Sequence, residues 1–522
     1  MATTPWTRGV ARVRGTSVDV DRADARPVVA IAGATGFVGT ALLEALAEEY
    51  RLVGLTRSPT RAAAEDRSGT AWRHCDLFSP TQVEAALEGI DYAIYLVHSM
   101  LPNARLLQAE LVDLDVLLAD NFARACAKHG VKQIIYLGGI RPDTPRMSRH
   151  LASRLEVEAT LASQATPVTA LRAGIVVGAG GSSVRILVNL VRRLPLMVLP
   201  SWTASRSAPI AIEDVVRCVR RCLGDPETYG EHFEIGGPEV MSYRDMMERA
   251  ATELGRHRIM VPVPVLSPRL STRWIAAVAG ADTELVGPLV ESLEHSLVPE
   301  PNWLNDWIQD TGPLAFEDAL SVSVDGTGRP FDDPRVELLR SDEATIRSAR
   351  TVRSVQRLPL PTSADAAWVR REYMRWLPRF MWPFLLVHVD GDVIQFRVRV
   401  IGLVLLQLTC IPNDRPDREL MMITGGVLAF IDDDYRGRLE FREVLDGRAI
   451  IAAIHDFRPS LPWWLYSATQ ALVHLLVMTA FGWHLARVKP RPGDGTEERS
   501  LDRGTGRRRG GARGIPRERH LR

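Results

Sequence analysis

The chain has 522 residues, more than one hydrophobic core usually supports, and its 46% hydrophobic and 24% charged content is that of a globular protein of two or three domains. A formal net charge of +1 argues against nucleic acid as the main partner. The five cysteines include no Cys-x-x-Cys pair and no disulfide framework, so a reducing, cytoplasmic compartment and no metal site are expected.

The two ends of the chain differ in composition from its middle. Residues 1–26 are polar and arginine-rich and lack the apolar stretch of a secretory signal, so a disordered arm is predicted. Residues 490–522 have few apolar side chains and a basic surplus, which predicts a disordered tail. A solvated tail is the favoured interpretation, although a basic segment can also touch membranes or nucleic acid.

The first strong pattern is the stretch VVAIAGATGFVG at residues 28–39, an apolar run that leads into a helix predicted over residues 40–49. Small residues at this spacing let a strand turn sharply into a helix whose free amides face an anion, so a nucleotide pyrophosphate fits there. A second strand over residues 51–57 completes the unit that the motif requires; a tight turn without a ligand is the alternative. The glycines of the turn are Gly33, Gly36 and Gly39.

The end of this second strand indicates which dinucleotide binds. NAD would need an Asp or Glu there for its ribose hydroxyls, whereas the chain has Arg57 followed by Ser58. Because an arginine suits a 2′-phosphate, NADP is the predicted cofactor, with NAD as the alternative. Without a ligand, Arg57 is an ordinary exposed arginine.

Strands and helices then alternate along the chain. Strands are predicted over residues 71–77, 91–97, 132–139 and 168–178, and helices over residues 80–88, 111–129 and 148–163. This order predicts an α/β fold built on a doubly wound parallel Rossmann sheet. A helix over 213–223, a strand over 232–237 and a helix over 241–255, capped by Ser242, predict a small substrate lobe.

The second half of the chain changes class. A rise in Gly, Pro and charge predicts a linker over residues 326–357, between a nucleotide-binding domain over 27–325 and a second domain over 358–489. Residues 391–409, 419–432 and 437–457 alternate as antiparallel strands. A helix across this sheet makes the second domain α+β.

The last apolar segment, residues 461–488, has two interpretations. Its length and hydropathy suggest a membrane span, but Gln470, His474 and Thr479 interrupt it and a sheet lies just upstream. A core helix of the second domain is therefore favoured, and peripheral membrane contact is left open.

The motifs together resemble a known group. GATGFVG, LTR after the second strand, HCDL after the third and YLGG at the fifth are similar to the extended and atypical short-chain dehydrogenase/reductase superfamily, of NmrA-like and epimerase-like type. Residues 148–202 most resemble members with an extra C-terminal domain of the DUF2867 type, itself similar to the helix-grip fold of the START and polyketide-cyclase group. The resemblance thus implies a Rossmann domain with a small lobe, followed by a helix-grip-like domain that encloses an apolar cavity.

The resemblance also implies cofactor contacts at the ends of successive strands. The pyrophosphate would meet Gly33, Thr35, Gly36, Phe37, Val38 and Gly39; the 2′-phosphate would meet Arg57 and Ser58; Asp76 and Leu77 would flank the adenine; Val97 and His98 would lie by the nicotinamide-side ribose.

The chain departs from the superfamily at the catalytic positions. Catalytic members carry a serine at the fifth strand and a Tyr-x-x-x-Lys on the next helix, whose lysine lowers the tyrosine pKa for proton transfer. Here the strand ends in Gly138 and Gly139, and the helix has His150 and Arg154 at the matching spacing. His150 is the candidate acid or base, with Arg154 favouring its neutral form; a surface histidine beside an arginine is the alternative.

Three functions remain open on this basis. The first is an NADP(H)-dependent oxidoreductase acting on a small apolar carbonyl or quinone-like substrate. The second is a catalytically inactive redox sensor or assembly factor, which the missing serine and tyrosine favour. The third is lipid or polyketide binding through the C-terminal domain. The sequence indicates neither the oligomeric state nor the substrate.

Overall fold

The structure is a computed structural model that describes residues 25–63, 69–98, 107–144, 147–263, 268–279, 283–332, 352–412, 415–432 and 437–490. The predicted arm and tail lie outside these ranges except at residues 25, 26 and 490.

The first domain is built on a parallel sheet of seven strands. In chain order its first elements are β1 (Val28–Ala32), α1 (Phe37–Leu46), β2 (Arg51–Thr56), α2 (Pro59–Ala62), β3 (Ala71–His74), α3 (Pro80–Ala86), β4 (Tyr92–Tyr95), β5 (Leu107–Ala109), α4 (Leu111–His129), β6 (Gln133–Gly139), α5 (Arg149–Leu161) and β7 (Val168–Ala173). With β12 (His232–Ile235) on one edge, the strand order is β12-β7-β6-β4-β1-β2-β3. The predicted doubly wound α/β fold is confirmed.

This sheet is apolar on both faces, as a buried parallel sheet must be. All five residues of β1 are buried. One face packs against α1 and α7 (Ile212–Cys222), and the opposite face packs against α3, α4 and α5. The strand order reverses between β1 and β4, which is where open α/β sheets bind their ligands.

A small lobe lies beyond the carboxyl ends of the strands. Its short paired strands and helices are β8 (Val176–Val177), α6 (Ser182–Arg193), β9 (Leu196–Leu199), β10 (Arg206–Ser207), β11 (Ile210–Ala211), β13 (Met241–Ser242), α8 (Tyr243–Glu253), β14 (Ile259–Pro262), α9 (Pro268–Ala279), α10 (Thr283–Leu293), α11 (Trp303–Asp310) and α12 (Phe316–Ser321). The predicted Ser242 cap of α8 is confirmed: Ser242 Oγ accepts from the Asp245 amide at 3.1 Å, and the Asp245 carboxylate accepts from the Ser242 amide in return.

The second domain is an antiparallel sheet with helices on one face. Its elements are β15 (Val352–Pro359), α13 (Ala366–Phe380), β16 (Leu385–Asp390), β17 (Val393–Val398), β18 (Val404–Ile411), β19 (Arg418–Gly425), β20 (Arg438–Val444), β21 (Ala449–Phe457), α14 (Trp463–Ala468) and α15 (Gln470–Leu485). The sheet order is β16-β17-β18-β19-β20-β21-β15-β5, so the last strand comes from the first domain.

The two domains share a core as well as a strand. Apolar side chains of β15, β20 and β21 pack into the cluster formed by β3, α3 and α4. The other face of the C-terminal sheet is covered by α13 and α15. The first domain is therefore covered by the C-terminal sheet on its α3–α4 side.

Several predicted boundaries differ from the structure. Helix α1 begins at Phe37 rather than residue 40, because the Gly36 amide closes the turn onto the Gly33 carbonyl at 2.9 Å. The strand over residues 168–178 divides into β7 and β8, since β8 leaves the main sheet and pairs with β11. The linker prediction is wrong from Val352 onward: β15 pairs with β21, and it buries Val352 and Leu358 against the C-terminal helices and Val355 against the first domain.

The segment predicted as one helix over residues 461–488 is two helices. The chain bends at Thr469, whose backbone φ and ψ are −128° and −79°. Helix α15 packs one face on the C-terminal sheet, in line with the favoured interpretation. Within the described ranges, no helix has both the length and the hydropathy to cross a bilayer.

Candidate functional site

The turn between β1 and α1 leaves room for an anion. Gly33 has φ +90°, and a Cβ on it would lie 3.1 Å from the Leu96 side chain. A Cβ on Gly39 would collide with the Gly33 carbonyl oxygen, so a glycine there lets the helix start tight against the strand. The first amides of α1 have no acceptor within the helix and face the end of the sheet. The turn therefore fits the diphosphate of a dinucleotide.

A cavity of about 350 Å³ runs from this turn into the small lobe. Near the sheet it is lined by the glycine-rich turn and by the ends of β4 and β6, at Leu96, His98 and Gly138. Within the lobe the lining is mostly apolar and comes from several elements, including Leu187, Leu190, Trp202, Met246, Met247 and Phe316. Such a cavity suits a flat apolar ligand lying against the nucleotide.

The structure brings eight of the predicted site residues to this cavity and leaves six outside it. Those that line it are Gly33, Gly36, Phe37, Val38, Gly39, His98, His150 and Arg154. Those outside its lining are Thr35, Arg57, Ser58, Asp76, Leu77 and Val97, which follow β1, β2, β3 and β4 at the same edge of the sheet. The cofactor contacts proposed for both groups stay predictions.

His150 stands in the first turn of α5. Ser148 caps the helix by accepting from the Leu151 amide at 3.2 Å, which places the imidazole at the cavity wall. Burial, with the nearby charge of Arg154, lowers the pKa of His150 to about 4. The ring is thus uncharged at neutral pH, the direction expected from the sequence. A neutral imidazole can donate one hydrogen bond and accept another.

Arg154 is fixed one turn further along α5. Its Nη2 lies 2.5 Å from Oδ2 of Asp115 on α4, and both side chains are buried. Its backbone carbonyl accepts from the Tyr136 hydroxyl at 3.1 Å. The guanidinium of Arg154 therefore has a dedicated, buried carboxylate partner.

The two glycines at the end of β6 have a packing reason. A Cβ on Gly139 would lie 3.2 Å from Cδ2 of Leu151 on α5, and a Cβ on Gly138 would lie 2.8 Å from the ring of Tyr136 on the same strand. A side chain at Gly139 would push α5 away from the end of β6. The close approach of α5 to the strand thus depends on having no side chain there.

Sequence reasoning missed Tyr243 as a cavity residue. It is the first residue of α8, is buried, and lines the cavity beside Trp202. Burial raises the pKa of its phenol despite a hydrogen-bonding interaction with Ser207, so the hydroxyl stays protonated. The sequence did predict Ser242 as the cap of this helix, and Tyr243 is the residue that follows the cap. That position is the one local signal that could have indicated Tyr243.

Asp76 has a partner that the sequence did not indicate. Its Oδ2 lies 2.6 Å from Nη1 of Arg353 on β15, and its Oδ1 accepts from the Phe78 amide at 3.1 Å. Burial opposes the charged form, but the charges of Arg353 and Arg57 outweigh it and lower the pKa of this carboxyl. The C-terminal domain therefore reaches the edge of the sheet where the adenine was predicted.

Helix α4 connects the cavity to the C-terminal domain. Toward the cavity, Asp115 holds Arg154; toward the C-terminal sheet, Oδ2 of Asp120 lies 2.7 Å from Arg442. The same guanidinium lies 2.6 Å from Glu440 and donates to Asn121 at 2.6 Å. We call Asp120, Asn121, Glu440, Arg442 and His455 the buried polar cluster; His455 Nε2 and Glu440 Oε2 are 2.7 Å apart.

The comparison with known proteins agrees with this geometry. Residues 29–236 match the NAD dependent epimerase/dehydratase family. The match covers the parallel sheet and the first part of the small lobe. In the described ranges, no group of three or more His, Cys, Asp or Glu side chains is placed to hold a metal ion.

A curated relative and several solved structures are similar to parts of the chain. The auxiliary protein GraX of Staphylococcus aureus is 35% identical over 135 residues, 26% of this chain and 44% of the relative, so the chain spans less than half the length of that relative. A nucleoside-diphosphate-sugar epimerase from Staphylococcus aureus covers 56% of this chain and 99% of its own, with 15% identity and a TM-score of 0.46.

Two further solved structures have the same kind of likeness. The NADPH complex of an NADPH-dependent quinone oxidoreductase from Escherichia coli covers 56% of this chain and 98% of its own, with 18% identity and a TM-score of 0.46. The NADP(H) complex of the Citrobacter sp. triphenylmethane reductase covers 56% and 98%, with 14% identity and a TM-score of 0.44.

Proposed function

We propose that the protein is an NADP(H)-dependent oxidoreductase that reduces a small apolar carbonyl or quinone-like compound. The observation that carries this proposal is the single cavity that joins the glycine-rich turn to the apolar lobe. An apolar ligand in the lobe would lie directly against a nucleotide bound at the turn. Arg57 and Ser58 at the end of β2 support NADP over NAD, because a carboxylate in their place would repel a 2′-phosphate.

When bound, the nicotinamide supplies the hydride. The neutral His150 donates a hydrogen bond to the substrate oxygen as negative charge develops there, and water supplies the proton that completes the reduction. Arg154, held by Asp115, adds a fixed positive charge beside that oxygen. The apolar lining of the lobe lowers the local dielectric, which strengthens both interactions. The Tyr243 hydroxyl is a second hydrogen-bond donor in the same cavity.

The test is turnover by the purified full chain with NADPH and a panel of quinones and enones. The proposal predicts substrate-dependent NADPH oxidation, reduced in His150→Phe or Tyr243→Phe, with nucleotide affinity unchanged in both variants. Tight NADPH binding without turnover on any compound would exclude the oxidoreductase and leave the alternative below.

The alternative is a redox sensor or assembly factor without turnover. It is favoured by helix α4, on which Asp115 fixes Arg154 at the cavity while Asp120 fixes Arg442 of the C-terminal domain. A nucleotide that moved Arg154 would act on a helix that also holds the domain interface. Hydrogen exchange of α4 and β20 with and without NADPH measures this effect.

The C-terminal domain is proposed to be of the DUF2867, helix-grip-like type. Its antiparallel sheet with α13 and α15 across one face supports this assignment. Lipid or polyketide binding by this domain is the third function, and binding of a fluorescent fatty acid to the full chain would test it.

A further inference from the structure

One end of the C-terminal domain is unusually apolar at its surface. The tip of the β17–β18 hairpin carries Val400, Ile401 and Leu403, of which the first two are 87% and 70% exposed. Tips of hairpins ordinarily carry Gly, Asn or Asp, which suit both the turn geometry and water. Large aliphatic side chains at such a tip lose free energy in water and gain it in an apolar medium.

Two aromatic residues lie next to this tip. The Arg399 amide donates to the Phe384 carbonyl at 2.9 Å, and the Arg399 guanidinium lies 4.1 Å from the centre of the Trp382 ring. Trp382 is 63% exposed and Phe384 is 68% exposed. The hairpin and the loop before β16 thus form one continuous apolar projection.

The chain after β19 adds to the same end of the sheet. The Val427 amide donates to the Val404 carbonyl at 3.1 Å, which places Val427 and the exposed Phe430 beside the base of the hairpin. Strand β21 also ends here: the Phe430 amide donates to the carbonyl of Arg458, just after this strand, at 2.8 Å.

Helix α15 begins near this end and is apolar all round. Its buried face holds Ala471, Val477 and Phe481, yet Leu472 and Leu476 on the outer face are about as exposed as Trp382. A helix with two apolar faces is typical of one that is covered on both sides. We call Trp382, Phe384, Val400, Ile401, Phe430 and Leu472 the apolar end.

Two exposed arginines lie beside the apolar end. They are Arg379 and Arg399, whereas Arg458 pairs with Asp432. The opposite end of the sheet carries exposed carboxylates at Asp390 and Asp392, in the turn between β16 and β17. Cationic side chains therefore lie next to the exposed apolar residues.

We propose that the apolar end docks on the surface of an anionic membrane. Side chains that project from a hairpin tip can insert among lipid chains, tryptophan favours the interfacial region, and arginines beside them meet lipid phosphates. A protein partner fits less well, because these residues come from separate turns and a helix end rather than from one flat face. The proposal is independent of the oxidoreductase function.

The test is flotation of the full chain with vesicles of equal parts phosphatidylglycerol and phosphatidylcholine, and with phosphatidylcholine alone. We expect binding to the anionic vesicles that weakens with salt. Ile401→Asp should weaken it about tenfold or more, since a carboxylate replaces an inserted apolar side chain. Arg399→Glu changes the charge by two units, and each unit should weaken binding to the anionic vesicles about fivefold. The matched control is Ile259→Asp, because Ile259 is 67% exposed on the small lobe.

A second readout locates the contact. Lipids brominated on their acyl chains should quench tryptophan emission of the protein, and Trp382→Phe should remove part of that quenching. The proposal is overturned if the unmodified chain binds neither kind of vesicle. It is equally overturned if Ile401→Asp and Ile259→Asp bind the anionic vesicles with the same affinity. It is also overturned if light scattering shows that Ile401→Asp dissociates an oligomer while no form of the chain binds vesicles, because a second copy would then cover this end.

Discussion

The cavity and the buried polar cluster differ in the number of charged side chains that they contain. The cavity is lined mainly by apolar side chains and an uncharged His150, and the guanidinium of Arg154 at its wall pairs with Asp115. The cluster at the domain interface instead concentrates charge: Arg442 lies between Asp120 and Glu440, all almost fully buried. A site for an apolar ligand gains from few charges, whereas an interface gains a unique docking geometry from charges that match.

The largest effect is expected in the cavity, from His150→Phe. The phenyl ring fills similar space but cannot donate a hydrogen bond to the negative charge that develops on the substrate oxygen, so turnover should fall about 10²- to 10³-fold. Nucleotide affinity should not change, because the predicted cofactor contacts are at the glycine-rich turn and at the ends of the strands rather than at His150. Steady-state kinetics and NADPH titration measure the two quantities. His257→Phe, at an exposed position, is the control; equal kinetics for the two variants would remove His150 from the mechanism.

The next largest effect is expected on stability, at the interface between the two domains. Arg442→Met removes the buried cation that lies between Asp120 and Glu440. Arg124 still pairs with Asp120 and Arg418 with Glu440, so the free energy of unfolding should fall by about 3 kcal/mol, the lower end of the loss for breaking a buried ion pair. Urea denaturation measures the change. Arg244→Met removes a solvent-exposed pair with Glu248 and should leave the free energy of unfolding nearly unchanged. Similar losses for both variants would mean that the cluster does not stabilise the interface.

The interface should also respond to acid through His455. Burial lowers the pKa of this ring to about 4, although Glu440 accepts its hydrogen bond. Between about pH 6.5 and pH 4 the unfolded chain binds a proton that the folded ring does not, so stability is full above this range and is lost as pH falls through it. Unfolding measured at several pH values should show a shallower acid slope in His455→Gln. An unchanged slope would contradict a neutral, buried His455.

Much of the fold could be predicted from sequence because it rests on local patterns. The strand–turn–helix at residues 28–46 and the strict alternation of strands and helices led to the parallel sheet, and α4 was predicted over the same residues, Leu111–His129. The C-terminal sheet was predicted from its alternation. Strand β15 and helix α13 were missed, because charged and proline residues mask their apolar positions.

The site was harder to predict because it depends on contacts between distant segments. The glycine-rich turn and His150 were found from spacing within one unit, whereas Tyr243 reaches the cavity only through the packing of the lobe. No local pattern shows that Arg353 pairs with Asp76 or that Arg442 pairs with Asp120. Pairs separated this far along the chain are fixed by the docking of the two sheets.

A smaller effect is expected at the cofactor end of the cavity, from Arg57→Asp. Replacing the guanidinium by a carboxylate should weaken NADPH binding by about tenfold to a hundredfold, the loss of a charge-assisted contact, while NADH binding changes little. Calorimetric titration of both nucleotides measures the preference. Arg256→Asp makes the same charge change at an exposed position on the small lobe. If NADPH affinity is unaffected by Arg57→Asp, the residue does not select the cofactor.

The smallest effect tests whether the stability of the small lobe is independent of the stability of the domain interface. Ser242→Ala removes a side chain that accepts from the Asp245 amide, so the lobe should lose about 1 kcal/mol of stability. The buried polar cluster lies on α4 and the C-terminal sheet rather than in the lobe, and should be unaffected. Ser242→Ala combined with Arg442→Met should therefore show additive losses in urea denaturation. A double variant that departs from additivity by more than about 0.5 kcal/mol would instead couple the lobe to the interface, which would favour the sensor over the oxidoreductase.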